Sequence, residues 1–174
     1  MNQYFKDRLI EILPEIQKSS GFISYGFDKA YREDLVQMTV ERALINHAKF
    51  EFGTSLKAWT TQIMRNIHLD IQKSHPVSRT TDLPGDSHDV FESDHQTLEA
   101  QTIDAEKKKA MDEFLRSQPE EQRTILSLWS EDYSYEQISE IIGISKENVG
   151  AILCRTRRSA VSHMKSRFPE WACL

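Results

Sequence analysis

Long apolar runs are missing from this chain of 174 residues. Nothing in it approaches the roughly 18 consecutive apolar residues that a helical membrane span needs. The opening MNQYFKDRLIEILPEIQK alternates charged and apolar residues, so it lacks the apolar centre of a signal peptide. Cysteine is scarce, with Cys154 and Cys173 both near the C-terminus. That leaves neither a zinc spacing nor a disulfide framework, and a reduced, cytoplasmic protein is expected. Only six glycines occur, and no stretch sustains the alternation of a half-buried strand, so an all-α fold is expected. No glycine-rich phosphate loop, paired catalytic carboxylates or nucleophile-plus-base arrangement stands out. The six histidines are scattered, His88 and His95 among them. No enzyme, no cofactor and no metal site is therefore expected.

What is present is charge, unevenly placed. The formal total is -5. Residues 1–74 hold ten Lys/Arg against nine Asp/Glu, and 101–174 hold eleven against twelve. Between them, residues 75–100 hold Arg79 against Asp82, Asp86, Asp89, Glu92, Asp94 and Glu99. This middle stretch is also rich in Ser and Thr and carries Pro76, Pro84 and Gly85. Few of its residues could offset the entropy of ordering, so it reads as a flexible acidic linker. The chain is thus expected to form two small helical domains, 1–74 and 101–174, joined by the linker 75–100. The length suffices for two small cores.

In the first domain a helix is expected through FKDRLIEILPEIQK, kinked or restarted at Pro14. The aromatic stretch SSGFISYGF has no clear local pattern. From Arg32, the spacing of Leu35, Val36, Val40, Ala43 and Leu44 predicts an amphipathic helix. A second follows with Leu56, Trp59, Ile63 and Ile67 on its stripe, with Thr54 or Ser55 as its N-cap. Trp59 lies on that stripe and is read as core.

In the second domain a helix near 101–117 is closed by Pro119, which also suits the start of EEQRTILSLWS. Ser134 and Gln137 form a capping box for YEQISEIIG, Gly143 ends that helix, and Ser145 caps KENVGAILCRTRRSAVSHMKSRF. On a helical wheel Val149, Leu153, Thr156, Ala160 and Met164 face inward. Glu147, Ala151, Cys154 and Arg158 face outward, flanked by Asn148, Arg155 and Arg157. Residues 146–167 hold six Lys/Arg against Glu147 alone, a net +5. Two short helices, a glycine turn and a basic outer face fit a helix-turn-helix. Side chains at the tip of its second helix reach base edges, and cations further along hold phosphates.

SQPEEQRTILSLWSEDYSYEQISEIIGIS resembles region 4 of bacterial RNA polymerase sigma factors, in its LPxxQR…SYxEIAxxxGIS run. EDLVQMTVERALINHAKFEFGTSLKAWTTQIMRNIHLDIQK resembles their region 2, through DLVQxT, KFxxGTxxKAW and IxRNxxxD. The two blocks, 33–73 and 117–145, cover about two-fifths of the chain, in the family's order. Without a region 1.1 or a region 3, the chain resembles the compact extracytoplasmic-function (ECF, group IV) sigma factors. IEILPEIQK adds a likeness to the alphaproteobacterial general-stress, EcfG-type members.

The resemblance implies a function. Such a protein binds core RNA polymerase through the β′ clamp and β flap and directs promoter-specific initiation, often in a stress response. Glu33, Asp34 and Gln37 would meet the clamp. Lys57, Arg65 and Asn66 would act where the −10 element is opened, Asn66 as the base contact. Lys146, Glu147, Asn148, Arg155, Arg157 and Arg158 would serve the −35 element. An anti-sigma factor, NepR-like in kind, would control it. Two departures stand out: Met38 replaces the family's usual acid in the clamp-binding helix. Gly150, Ala151 and Ile152 replace its basic and hydroxyl residues in the recognition helix. Two alternatives remain open from the sequence: a sigma-like decoy that titrates an anti-sigma protein, and a free-standing helix-turn-helix regulator.

Overall fold

A computed structural model describes residues 3–74 and 98–169, with side chains described from Ala105 onward in the second stretch. Most of the expected linker, with His88 and His95, lies outside the described residues, as does Cys173. Every regular element among the described residues is helical, as expected. The chain divides into two compact units, Met1–Glu92 and Ser93–Leu174.

The first unit contains α1 (Gln3–Glu11), α2 (Leu13–Ile23), α3 (Lys29–Ile45) and α4 (Leu56–Ser74). The helix restarts at Pro14, which occupies the first turn of α2. Proline has no N–H to give the preceding turn, but a first turn needs none. The stretch SSGFISYGF, unplaced by pattern, divides between two structures. SSGFI completes α2, while Gly26, at φ 88°, turns the chain toward α3. Asp28 then caps α3 by accepting from the Tyr31 amide at 2.8 Å. The helix therefore starts at Lys29, earlier than the apolar spacing alone suggested. Its fully buried positions are Leu35, Thr39 and Ala43, with Val36, Val40 and Leu44 half-buried beside them. Thr39 was overlooked because its hydroxyl marks it as polar. That hydroxyl donates to the Leu35 carbonyl at 2.7 Å, so burial leaves it satisfied.

Between α3 and α4 a short 3-10 turn, His47–Lys49, leads into the loop carrying Gly53. Ser55 is the cap of α4, accepting from the Ala58 amide at 3.2 Å. Thr54 instead donates to the Glu51 carbonyl within the loop. Aromatic rings hold this loop down: Phe50 lies 5.8 Å from Phe5 and 5.4 Å from Trp59, centroid to centroid. Deeper in the unit, His68 is only 2% exposed. Its Nδ1 meets the Tyr31 hydroxyl at 2.7 Å and its Nε2 the Gln72 amide at 2.6 Å. This histidine is a satisfied core residue joining α3 to α4.

The second unit contains α5 (Leu98–Ser117), α6 (Glu120–Ser130), α7 (Tyr135–Ile142) and α8 (Lys146–Arg167). Helix α5 begins within the stretch read as linker. Pro119 takes the N-cap position of α6, and its carbonyl accepts from the Arg123 amide at 3.0 Å. The core gathers Phe114, Ile125, Leu128, Ile138, Ile141, Val149 and Leu153, all buried. The capping box is complete: Ser134 Oγ accepts from the Gln137 amide, and the Gln137 side chain accepts from the Ser134 amide. Gly143 closes α7 in the left-handed region, at φ 81°, which favours glycine because no Cβ meets the following carbonyl. Ser145 then caps α8 through the Asn148 amide. The start of α7, its end and the start of α8 are thus each defined by short-range chemistry.

Candidate nucleic-acid and partner-binding surfaces

The buried face of α8 consists of Val149, Leu153, Thr156, Ala160 and Met164, the same five residues the wheel turned inward. The opposite face carries Glu147, Ala151, Cys154 and Arg158, all exposed. At the tip, Glu147 and Asn148 stand exposed. Its own backbone amide, and then the Ser145 side chain, hold the Glu147 carboxyl below its usual range. This is the ordinary preference of a helix N-terminus for negative charge.

The cations along α8 differ in what they touch. Lys146 is ion-paired with Glu136 of α7; that contact lowers the Glu136 pKa and raises that of Lys146. Arg155 turns back on its own helix, its Nε donating to the Ala151 carbonyl at 3.3 Å. Arg167 Nη1 pairs with Glu113 of α5 at 3.1 Å. Arg157 lies with its guanidinium carbon 4.5 Å from the centroid of the Trp129 ring. Arg158 makes none of these contacts and is exposed.

Beside the cations the surface has a shallow recess of about 400 Å3, lined by Tyr135, Gly150, Leu153, Cys154, Arg157, Arg158 and Val161. Gly150 faces the Tyr135 ring, which a Cβ added there would meet at 3.5 Å. That is ordinary van der Waals contact, so α7–α8 packing does not demand glycine. Ala151 points outward and Ile152 is half-buried. These three positions present little that could hydrogen-bond a base edge.

In the first unit, Asn66 stands exposed on α4, with Arg65 half-buried beside it. Lys57 lies at the start of α4, its Nζ 3.7 Å from the Glu15 carboxylate of α2. Trp59 packs edge-on against Phe5 and tilts against Phe50 but is only half-buried, as is Ile63. Thr60 and Met64 take the fully buried places on α4 beside Leu56 and Ile67. The aromatic groups at the surface here are others: Phe52, 60% exposed, and Tyr4, 55% exposed. Their ring centroids lie 6.2 Å apart. The apolar-stripe reading passed over both, because neither belongs to a periodic helical face.

On α3, Glu33, Asp34 and Gln37 are exposed together on one side of the helix. Met38 joins them at 38% exposure and Ile45 lies further along at 76%. This surface is therefore acidic, with apolar side chains among its carboxylates. Among the described residues no helix is long and apolar enough to cross a membrane, and no group of side chains has metal-ligating geometry.

The capped α7–turn–α8 pair, with its basic outer face, places the second unit in the helix-turn-helix class. Comparisons with known proteins narrow the class. No family model matches the chain. A probable RNA polymerase sigma factor, RfaY, of Xanthomonas campestris pv. campestris is 29% identical over 150 residues, covering 83% of this chain and 37% of its own length. The ECF RNA polymerase sigma factor EcfG of Rhodopseudomonas palustris (strain TIE-1) is 30% identical over 156 residues, covering 88% of this chain and 80% of its own length. In fold, the chain is similar to the sigma factor RpoE of Bartonella quintana, solved in complex with the anti-sigma factor NepR. That likeness has a TM-score of 0.69 at 24% identity, over 94% of this chain and 98% of the other. The chain belongs to the ECF RNA polymerase sigma factors. It spans little more than a third of the Xanthomonas relative and four-fifths of the Rhodopseudomonas one.

Proposed function

We propose that this protein binds core RNA polymerase in the cytoplasm and directs promoter-specific initiation, with no catalytic chemistry of its own. Its first unit docks on the β′ clamp through Glu33, Asp34 and Gln37 of α3, and opens the −10 element with Lys57, Arg65 and Asn66. Its second unit contacts the β flap and sets α8 at the −35 element. There Glu147 and Asn148 lie toward base edges, while Lys146, Arg155, Arg157 and Arg158 lie toward phosphates. An anti-sigma factor of the NepR type holds it inactive until a stress signal arrives.

The observation that carries this reading is the orientation of α8. Its five inward residues are buried in the second unit, and a face of net-positive charge with a polar tip is left exposed, which is what a helix entering the major groove needs. The acidic total does not oppose it. Negative charge is concentrated in 75–100, and most of the phosphate contacts of an initiation complex come from the polymerase. Gly150, Ala151 and Ile152 leave base reading at −35 to the ends of the exposed face.

Run-off transcription with core polymerase and a promoter library tests the whole proposal. Transcripts from a shared −35/−10 pattern, dependent on added protein, are expected. Binding to an anti-sigma protein without any transcript would assign the chain to the decoys. Tight sequence-specific DNA binding without polymerase would assign it to free-standing regulators.

A further inference from the structure

Three of the six cations on α8 each give an N–H donor to an oxygen of the protein. Lys146 gives one to Glu136, Arg155 one to the Ala151 carbonyl and Arg167 one to Glu113. Arg157 is held in another way, by the face of Trp129. A guanidinium over an aromatic ring is attracted by the ring's quadrupole, which involves its charge and its flat face. Its five N–H donors lie in the guanidinium plane, and among the described residues none of them is given to a carboxylate or carbonyl. Arg157 therefore keeps its full charge and its donor fork while its side chain is fixed in direction. The two anchors belong to different helices of one unit. Trp129 lies at the end of α6, half-buried, and Arg157 lies in the middle of α8, exposed.

We infer that Trp129 is a positioning residue for nucleic-acid binding: it pre-orients the Arg157 guanidinium toward a backbone phosphate. The inference rests on the reading of α8 as the DNA-facing helix. An arginine free in solution must lose rotamer freedom when it grips a phosphate oxygen, and this weakens binding. With Trp129 beneath it, that ordering is complete before DNA arrives. The planar fork then meets the phosphate with two parallel donors.

A phosphate contact carries no sequence information, so the test needs no promoter. The full chain is titrated with a fluorescein-labelled duplex of random sequence at several salt concentrations. Five variants are compared: Trp129→Leu, Trp129→Phe, Arg157→Ala, Arg158→Ala, and Trp129→Leu combined with Arg157→Ala. Arg157→Ala should lower the slope of log affinity against log salt by about one. Trp129→Leu should weaken binding roughly threefold, the size an exposed cation–π contact supports. It should leave the salt slope nearly unchanged, because the charge remains. Trp129→Phe, which keeps an aromatic face, should recover most of the loss. In the Arg157→Ala background, Trp129→Leu should have no further effect.

A Trp129→Leu loss of equal size with and without Arg157 would overturn the inference and make Trp129 merely structural. So would a loss on Arg157→Ala with none on Trp129→Leu. If neither Arg157→Ala nor Arg158→Ala alters binding or its salt slope, the reading of α8 as the DNA-facing helix fails, and the inference with it.

Discussion

In the helix-turn-helix of the second unit, the contacts that set the turn join near neighbours: Ser134 and Gln137, 3 positions apart, and Glu136 and Lys146, 10 apart. In the first unit, contacts join distant residues. Tyr31 reaches His68 across 37 positions, and Thr61 reaches Ser19 across 42. The loop before α4 depends on Phe5, far back in α1, for its aromatic support. The helix-turn-helix is therefore a locally specified device whose angle is set by caps and a glycine. The first unit reaches its form only when separate segments have met, a costlier closure in loop entropy. The division suits the functions proposed for them. A reader of duplex DNA can be a rigid hairpin of helices, whereas a strand-opening surface has to present a loop and a helix face together.

Removing a distant contact of the first unit should have the largest effect. Phe50→Ala empties a buried site shared by Phe5, Phe52 and Trp59. A loss of about 3–5 kcal/mol is expected, the range for large aromatic truncations. Hydrogen exchange on the full chain should show the loss in α1 to α4 and spare α6 to α8. Equal loss of protection in both units would mean that they do not fold separately.

Asn66→Ala separates function from fold. Asn66 is exposed, so thermal unfolding should be unchanged. Open-complex formation should fall roughly tenfold, as expected on losing an amide-to-base contact worth about 1–3 kcal/mol. Binding to core polymerase should stay near normal. Permanganate footprinting on a duplex promoter reads the outcome, and undiminished opening would remove Asn66 from the site.

A smaller effect is expected from the local signals. Ser134→Ala deletes one arm of the capping box and should cost about 1 kcal/mol. That loss should appear in α7 and α8 exchange, with α1 to α4 untouched. The smallest effect concerns charge alone. Replacing Asp82, Asp86, Asp89, Glu92, Asp94 and Glu99 by Asn or Gln removes the acidity of 75–100. DNA binding by the isolated chain should strengthen at low salt and converge with the parent at high salt, where screening is short-ranged. Sequence preference should not move, because phosphates and not bases feel the change.

Much of the second unit could be read from its sequence because its determinants are periodic or short-range. The inner face of α8, the capping box at Ser134, the glycine stop at Gly143 and the cap at Ser145 each follow from spacing and side-chain type. So does the break at Pro14, since a missing N–H has the same consequence wherever it occurs. What only the tertiary structure decided is which groups become partners. The apolar pattern did not mark Thr39, which the packing of α2 and α4 on α3 buries while its hydroxyl folds back to the Leu35 carbonyl. No pattern placed SSGFISYGF, whose turn depends on Gly26 and on Phe27 stacking against Tyr31 at 4.4 Å. The cations of α8 read alike in the sequence as one basic run. Packing made two of them different, giving Lys146 a carboxylate of α7 and Arg157 an aromatic face of α6. Composition fixes how much charge a helix carries. The neighbouring helices fix which of those charges keep their donors open, because that depends on atoms brought together from elsewhere in the chain.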